Sequence, residues 1–207
     1  HKVDDPYSHL TIQCLEQLES SYEITLKFIL VGEENLDAVH EPSLYNIYCL
    51  QDVNRIAPFY NIDFQAHEYP AKELVEKANS ILTAAKSDDL IEIANKVSSA
   101  LWEGDIGTLD KLSSTYFATK AEVKDNLIQG NKIRDARGYY FGSAFYYEKE
   151  LYWGVDRLPY LEERLAELGA KKAHEIQNIC PLKLEAPTKF TSDKKVNLYY
   201  YPSLNSP

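Results

Sequence analysis

The sequence predicts an α/β fold in which a small sheet is interrupted by a large helical block. Three observations carry that expectation. Tyr22, Ile24, Leu26, Phe28 and Leu30 fall at period two, the spacing of a strand with one buried face. The stretch from Arg137 to Leu168 reads as a β-hairpin feeding a helix. Between these two regions, from about residue 70 to 130, the apolar residues recur at helical spacing.

The hairpin is the most informative stretch. Tyr139 to Tyr147 is dense in aromatics, which suit a pleated, packed surface. Glu148-Lys149-Glu150 reads as the turn and Leu151-Tyr152-Trp153 as the return strand. Gly154 permits a backbone conformation that other residues avoid, Asp156 is placed to cap the next helix, and Pro159 sits near its first turn. Leu158, Leu161, Leu165 and Leu168 form one helical face, and Gly169 ends it.

Taken from the start, a loop at Asp5-Pro6-Tyr7-Ser8 precedes a helix with Leu10, Cys14 or Leu15, and Leu18 on one face. After the alternating segment, residues 33–42 read as polar loop and Tyr45–Tyr60 as a helix ended by Pro58. Asn61–Phe64 is an extended link. In the block that follows, Leu74, Ala78, Ile81, Leu82 and Ala85 make one face, and Leu90, Ile93, Ala94, Val97 and Leu101 another. A further helical run spans Leu109 to Gly130. Lys171–Ile179 extends or restarts a helix, residues 181–195 read as a linker, and 196–207 as a strand. The expected organisation is therefore one domain over 1–180, a linker, and a final strand.

Composition narrows the function. The 207 residues carry a net charge of −10, which disfavours nucleic acid and anionic membrane as partners. No apolar run has the length of a membrane span and no signal-peptide pattern opens the chain. Cys14, Cys49 and Cys180 are isolated, poor material for a disulfide framework or a zinc site, and a reducing cytoplasm is the simplest compartment. The five histidines show no metal-ligand spacing; for His9 a surface or capping role is expected. Glu16, Glu19, Glu162, Glu163 and Glu167 read as solvated helix faces, and the 16 tyrosines as packed sheet surface. The chain opens on His1 and contains no methionine, so it is expected to be a fragment or to have lost residues.

Phe141-Gly142-Ser143-Ala144-Phe145, followed by Trp153-Gly154-Val155-Asp156-Arg157-Leu158, resembles the C-terminal half of DsbA-type thioredoxin-superfamily proteins. The nearest branch is that of the 2-hydroxychromene-2-carboxylate isomerases and kappa-class glutathione transferases. The resemblance covers roughly residues 1 to 169 and implies a thioredoxin-like sheet with an inserted helical domain. It also implies an active-site loop at Asp5-Pro6-Tyr7-Ser8, with Asp5 and Ser8 where relatives carry cysteine or serine. Ala144 stands where the family has a cis-proline. Glutathione would lie against Ser143 and Ala144, with its γ-glutamyl end at the Val155 and Asp156 N–H groups and the Asp156 carboxylate.

Three functions follow from the resemblance. The first is a glutathione-dependent isomerase or transferase acting on a small aromatic electrophile, as a homodimer or with a tandem second domain. The second is a catalytically degenerate thioredoxin-like module paired with an active copy. The third and weakest is a thiol-disulfide oxidoreductase. Asp5 counts against activation of glutathione, because a carboxylate there would raise the pKa of a nearby thiol. Val196 to Pro207 resembles the family's first strand and loop, with Ser206-Pro207 aligned on Asp5-Pro6. It is open between a closing strand, the start of a second copy that uses Ser206, and a strand that replaces one missing before His1.

Because the loop contains no sulfur, the protein is expected to be inert as a disulfide reductase. The check is dithiol-dependent reduction of insulin by the protein and by a variant with Cys14, Cys49 and Cys180 replaced by alanine. Turnover that survives those replacements contradicts the expectation.

Overall fold

Capping chemistry sets the helix boundaries in the computed structural model, which describes residues 1–33, 39, 41–85, 89–172, 179 and 195. Helix α1, Pro6–Ile12, opens on Asp5, whose carboxylate accepts hydrogen bonds from the Tyr7 and Ser8 amides, with Pro6 where no amide is needed. After a break at Gln13 and Cys14 the chain continues as α2, Leu15–Ser21. Helix α3, Pro42–Ile56, runs into a 3₁₀ turn, Ala57–Tyr60. Helices α4 (Lys72–Ala84), α5 (Leu90–Glu103) and α6 (Ile106–Thr115) follow. Helix α7, Lys120–Ala136, starts on a reciprocal capping box between Thr119 and Glu122.

Strands β1 (Ala144–Tyr147) and β2 (Glu150–Trp153) pair antiparallel, with Ala144 opposite Trp153 and Tyr147 opposite Glu150. The connecting residues Glu148 and Lys149 have φ of 49° and 73°, as a tight hairpin turn matching the strand twist requires. Helix α8, Leu158–Glu167, completes the order. The protein is mixed α/β and mostly helical, with one two-stranded sheet among the described residues.

Two apolar clusters hold these elements together. One joins α4, α5 and α6 through Ala78, Ile81, Leu82, Ala94, Val97, Leu101 and Leu109. The other joins α1, α2, α3 and α8 through Leu10, Leu18, Val53, Leu158, Leu161 and Leu165. Helix α1 serves both, with Ile12 in the first and Leu10 in the second. Each fully buried leucine contributes about 1.5–3 kcal/mol.

Several expectations are corrected. The run from Leu109 to Gly130 is broken between Thr115 and Lys120 and continues past Gly130 to Ala136. The hairpin is shorter than the aromatic stretch: pairing begins only at Ala144, the turn is Glu148–Lys149, and Glu150 already belongs to β2. Asp156 does not cap α8. That position falls to Arg157, without a side-chain hydrogen bond, while Asp156 pairs with Arg157. Glu162 is 1% exposed rather than solvated, and its carboxylate accepts from the Tyr22 hydroxyl and the Ile179 amide. The linker and final strand lie outside the described residues except for Lys195.

The segment from Tyr22 to Leu30 keeps the expected alternation of burial but joins no ladder. Its ends are tied down. Tyr22 bridges Lys171, the Glu23 amide donates to Ala170, the His1 amino group donates to Ile29, and the Val31 amide donates to His1. From Thr25 to Phe28 no backbone hydrogen bond is made among the described residues. Amphipathic periodicity fixes which side chains face inward, whereas a ladder also needs a neighbouring strand, and among the described residues none pairs with this stretch.

Helix α7 crosses the end of this segment at Gly130, where an added Cβ would lie 1.9 Å from the Leu30 carbonyl oxygen. Gly130→Ala would ordinarily favour a helix by about 1 kcal/mol. Here the clash dominates, and a net loss of about 2–4 kcal/mol is expected from chemical unfolding. Gly107→Ala, with nothing closer than 3.4 Å, is the control and stays within about 1 kcal/mol of the parent.

Candidate functional site

Asp5 organises the region that the sequence singles out. Its Oδ1 accepts the Tyr7 amide at 3.1 Å; its Oδ2 accepts the Ser8 amide at 3.1 Å and the Ser8 hydroxyl at 2.7 Å. Ser8 Oγ in turn accepts the Lys2 amide at 3.2 Å. Gly142 packs against this pair, since a Cβ there would lie 2.7 Å from Asp5 Oδ2 and 2.8 Å from Ser8 Oγ. The sequence pair Phe141-Gly142 thus has a local reason. Only a residue without a side chain lets the hairpin approach the loop this closely.

Ser143 lies one residue further on, buried, at φ 56°, with its hydroxyl 3.3 Å from Thr11 Oγ1 on α1. The peptide bond before Ala144 is trans, and Ala144 is exposed at the start of β1. Asp5, Ser8 and Ser143 are therefore gathered around the first two turns of α1. Val155 and Asp156 are placed differently. The Val155 side chain is 2% exposed and belongs to the core with Leu158 and Leu161, while the Asp156 carboxylate is half-exposed, 3.0 Å from Arg157. Ser206 lies outside the described residues.

A cleft of about 360 Å³ opens beside Asp5. Its walls are aromatic: Tyr7, Tyr45, Tyr69, Phe141 and Trp153. Tyr45 stacks on Phe141 with ring centres 5.7 Å apart, and Phe141 stacks on Trp153 at 5.6 Å. Among the described residues that line the cleft, Asp4, Asp5 and Glu33 bring carboxylates, against a single cation, Lys2, which lies 3.2 Å from Asp4. The Tyr7 hydroxyl donates to Asp52 at 2.8 Å, and burial, with this bond adding to it, raises its pKa. Cys49 also lines the cleft, but burial pushes its thiol up to about 11, so it is not a ready nucleophile.

The sequence did not single out this aromatic wall. Tyrosines taken as sheet surface come instead from α1, from α3 and from the loop before α4, and the chain brings them together only in three dimensions. Among the described residues no three His, Cys, Asp or Glu side chains are grouped to hold a metal, and no helix is long and apolar enough to cross a membrane.

His9 is neither a surface residue nor a cap. It is 5% exposed, between Phe64 and Trp102, with Nδ1 2.8 Å from Ser98 Oγ and Nε2 3.3 Å from Gln13 Nε2. The Gln13 amide is oriented by the Asp63 backbone, which donates to its oxygen and accepts from its nitrogen. Gln13 Nε2 donates as well to the His9 carbonyl at 3.2 Å, so both of its N–H groups have carbonyl acceptors.

Family models, characterised proteins and solved structures were each compared with the chain, and none matches it.

Burial lowers the His9 pKa to about 4 from 6.5, with Asp63 opposing the shift. The fold binds the neutral ring, so the unfolded chain takes up a proton first as the pH falls. The stabilisation is complete above pH 6.5 and is lost between about 6.5 and 4, a change of about 3 kcal/mol. Unfolding free energies measured across that window are expected to fall less, by roughly that amount, in His9→Gln than in the parent.

Proposed function

We propose that this chain is a DsbA-type, thioredoxin-like module without thiol chemistry, whose aromatic cleft binds a flat, uncharged or cationic aromatic molecule. One observation carries the reading: the Asp5 carboxylate takes the α1 amides and the Ser8 hydroxyl that would otherwise face a bound thiolate. A thiol brought to this loop would meet a fixed negative charge, which favours its protonated, unreactive form. The stacked rings of Tyr45, Phe141 and Trp153 offer a surface for aromatic packing, and the surrounding carboxylates favour positive charge over negative. Glutathione, with two carboxylates to one ammonium, is a poor match to that field.

A glutathione-dependent isomerase or transferase acting on a small aromatic electrophile is the second reading. It is favoured by the Val155 and Asp156 N–H groups, which make no backbone hydrogen bond among the described residues and lie next to the Asp156 carboxylate. The same aromatic cleft would hold the electrophile.

The two readings separate in one experiment. Glutathione is titrated by calorimetry, and its thiolate is followed by ultraviolet absorbance, in the parent and in Asp5→Ser. The expected result is no thiolate in the parent and an affinity at least tenfold higher, about 1.4 kcal/mol, in the variant. A thiolate signal in the parent that disappears in Asp156→Ala would establish the glutathione reading instead.

A further inference from the structure

We propose that a second cavity, lined by His9, Asp63, Trp102 and Glu103, binds the protonated head of a small aliphatic amine. Among the described residues it shares no lining side chain with the aromatic cleft, and the proposal is independent of what that cleft binds.

The cavity measures about 560 Å³, room for a small organic molecule. Helix α1 brings His9 to it, helix α5 brings Trp102 and Glu103, and the chain between the 3₁₀ turn and α4 brings Asp63 and Phe64. That last segment is held in place. The Gln13 side chain donates to the Asp63 carbonyl at 2.9 Å and accepts from the Asp63 amide at 3.3 Å. Gln65 donates to Asp63 Oδ1 at 3.3 Å. Asp63 Oδ2 and the Glu103 carboxylate have no hydrogen bond or ion pair among the described residues, so both can serve a ligand.

One group in the wall is buried and has bonding capacity to spare. His9 is 5% exposed, and its Nδ1 is engaged with Ser98 Oγ at 2.8 Å. Its Nε2 faces the Gln13 amide nitrogen at 3.3 Å. Both hydrogens of that nitrogen have carbonyl acceptors, on His9 at 3.2 Å and on Asp63 at 2.9 Å. Nε2 is therefore open to a group in the cavity, and a buried polar atom gains from such a partner. Burial keeps the ring neutral at neutral pH, so it meets a cation without repelling it.

The lining decides the class of ligand. Asp63 and Glu103 are carboxylates, and among the described residues no lysine or arginine lines the cavity, which disfavours an anion. A metal ion is too small, since among the described residues no three His, Cys, Asp or Glu side chains are grouped to hold one. A sugar needs a broad ring face to stack on, whereas Phe64 and Trp102 are each 7% exposed. That strip of aromatic surface suits a short alkyl chain and the edge of an ammonium group. An ammonium that donates to Nε2 leaves the ring proton on Nδ1, toward Ser98, and has N–H groups left for the carboxylates.

Butylammonium, with butanol as its uncharged counterpart, tests this on the full chain at neutral pH. Nitrogen NMR follows the His9 imidazole and the indoles of Trp102 and Trp153, which report separately on the cavity and on the aromatic cleft. The expected result is a saturable shift of His9 Nε2 and of the Trp102 indole with butylammonium, and an affinity for butanol weaker by about tenfold or more. Replacing both exposed carboxylates, Asp63→Asn with Glu103→Gln, is expected to weaken butylammonium by about tenfold or more while the amide spectrum stays that of the folded parent. No saturable shift at His9 overturns the proposal, as does equal binding of butanol or an unchanged affinity in the double variant. A shift confined to the Trp153 indole overturns it as well and gives the cation to the aromatic cleft.

Discussion

The hydrogen bonds that Asp5 accepts are the constraint on which the site depends. One carboxylate ends the loop, starts α1 and fixes the Ser8 hydroxyl, and through Ser8 it also positions the Lys2 amide. Helix α1 then carries Leu10 into one core cluster and Ile12 into the other. The approach of Gly142 to the same carboxylate brings the hairpin against this helix. A cap is commonly worth about 1 kcal/mol. The larger consequence here is geometric, because the loop, the first helix and the hairpin meet on one pair of oxygens.

That geometry also limits the chemistry. A loop that stabilises a thiolate must leave amides and hydroxyls directed at an outside sulfur, and here the protein's own carboxylate fills that role. Among the described residues no other sulfur is placed to substitute. Among the described residues Cys14 and Cys49 are both buried and free, and burial raises the Cys49 thiol pKa rather than lowering it. What remains is a concave aromatic surface with acidic residues around it, a combination suited to binding.

The parts of the fold that were legible in the sequence are those governed by local rules. The apolar faces of α4 and α5, the proline and glycine at the ends of α8, and the alternation from Tyr22 to Leu30 are all present. What could not be read depends on distant partners. Whether Tyr22–Leu30 enters a ladder is decided by what lies beside it, and the burial of Glu162 by a tyrosine 140 residues away. His9 is a similar case, since Phe64, Ser98 and Trp102 enclose it from two separate stretches of chain. In the candidate site Asp5 and Ser8 were legible because a four-residue loop holds them. The aromatic wall was not, because its rings come from α1, α3, the loop before α4, and the hairpin.

The same rings tie stability to the site. A two-stranded hairpin is marginal by itself in water, so this one must be held by what it touches. Part of that support comes from α8, which packs on β2, and part from Phe145, Tyr147 and Tyr152 against the second core cluster. The rest comes from the cleft. Trp153 at the end of β2 lies 5.7 Å from Tyr7 on α1, and Phe141 bridges Trp153 to Tyr45 on α3. Each such pair adds about 0.5–1.5 kcal/mol beyond the area it buries. The wall offered to a ligand is therefore also the clasp between the sheet and the helices. A ligand that stacks on these rings would stabilise the hairpin as it binds, and a change that widens the cleft by removing Trp153 would loosen the sheet itself.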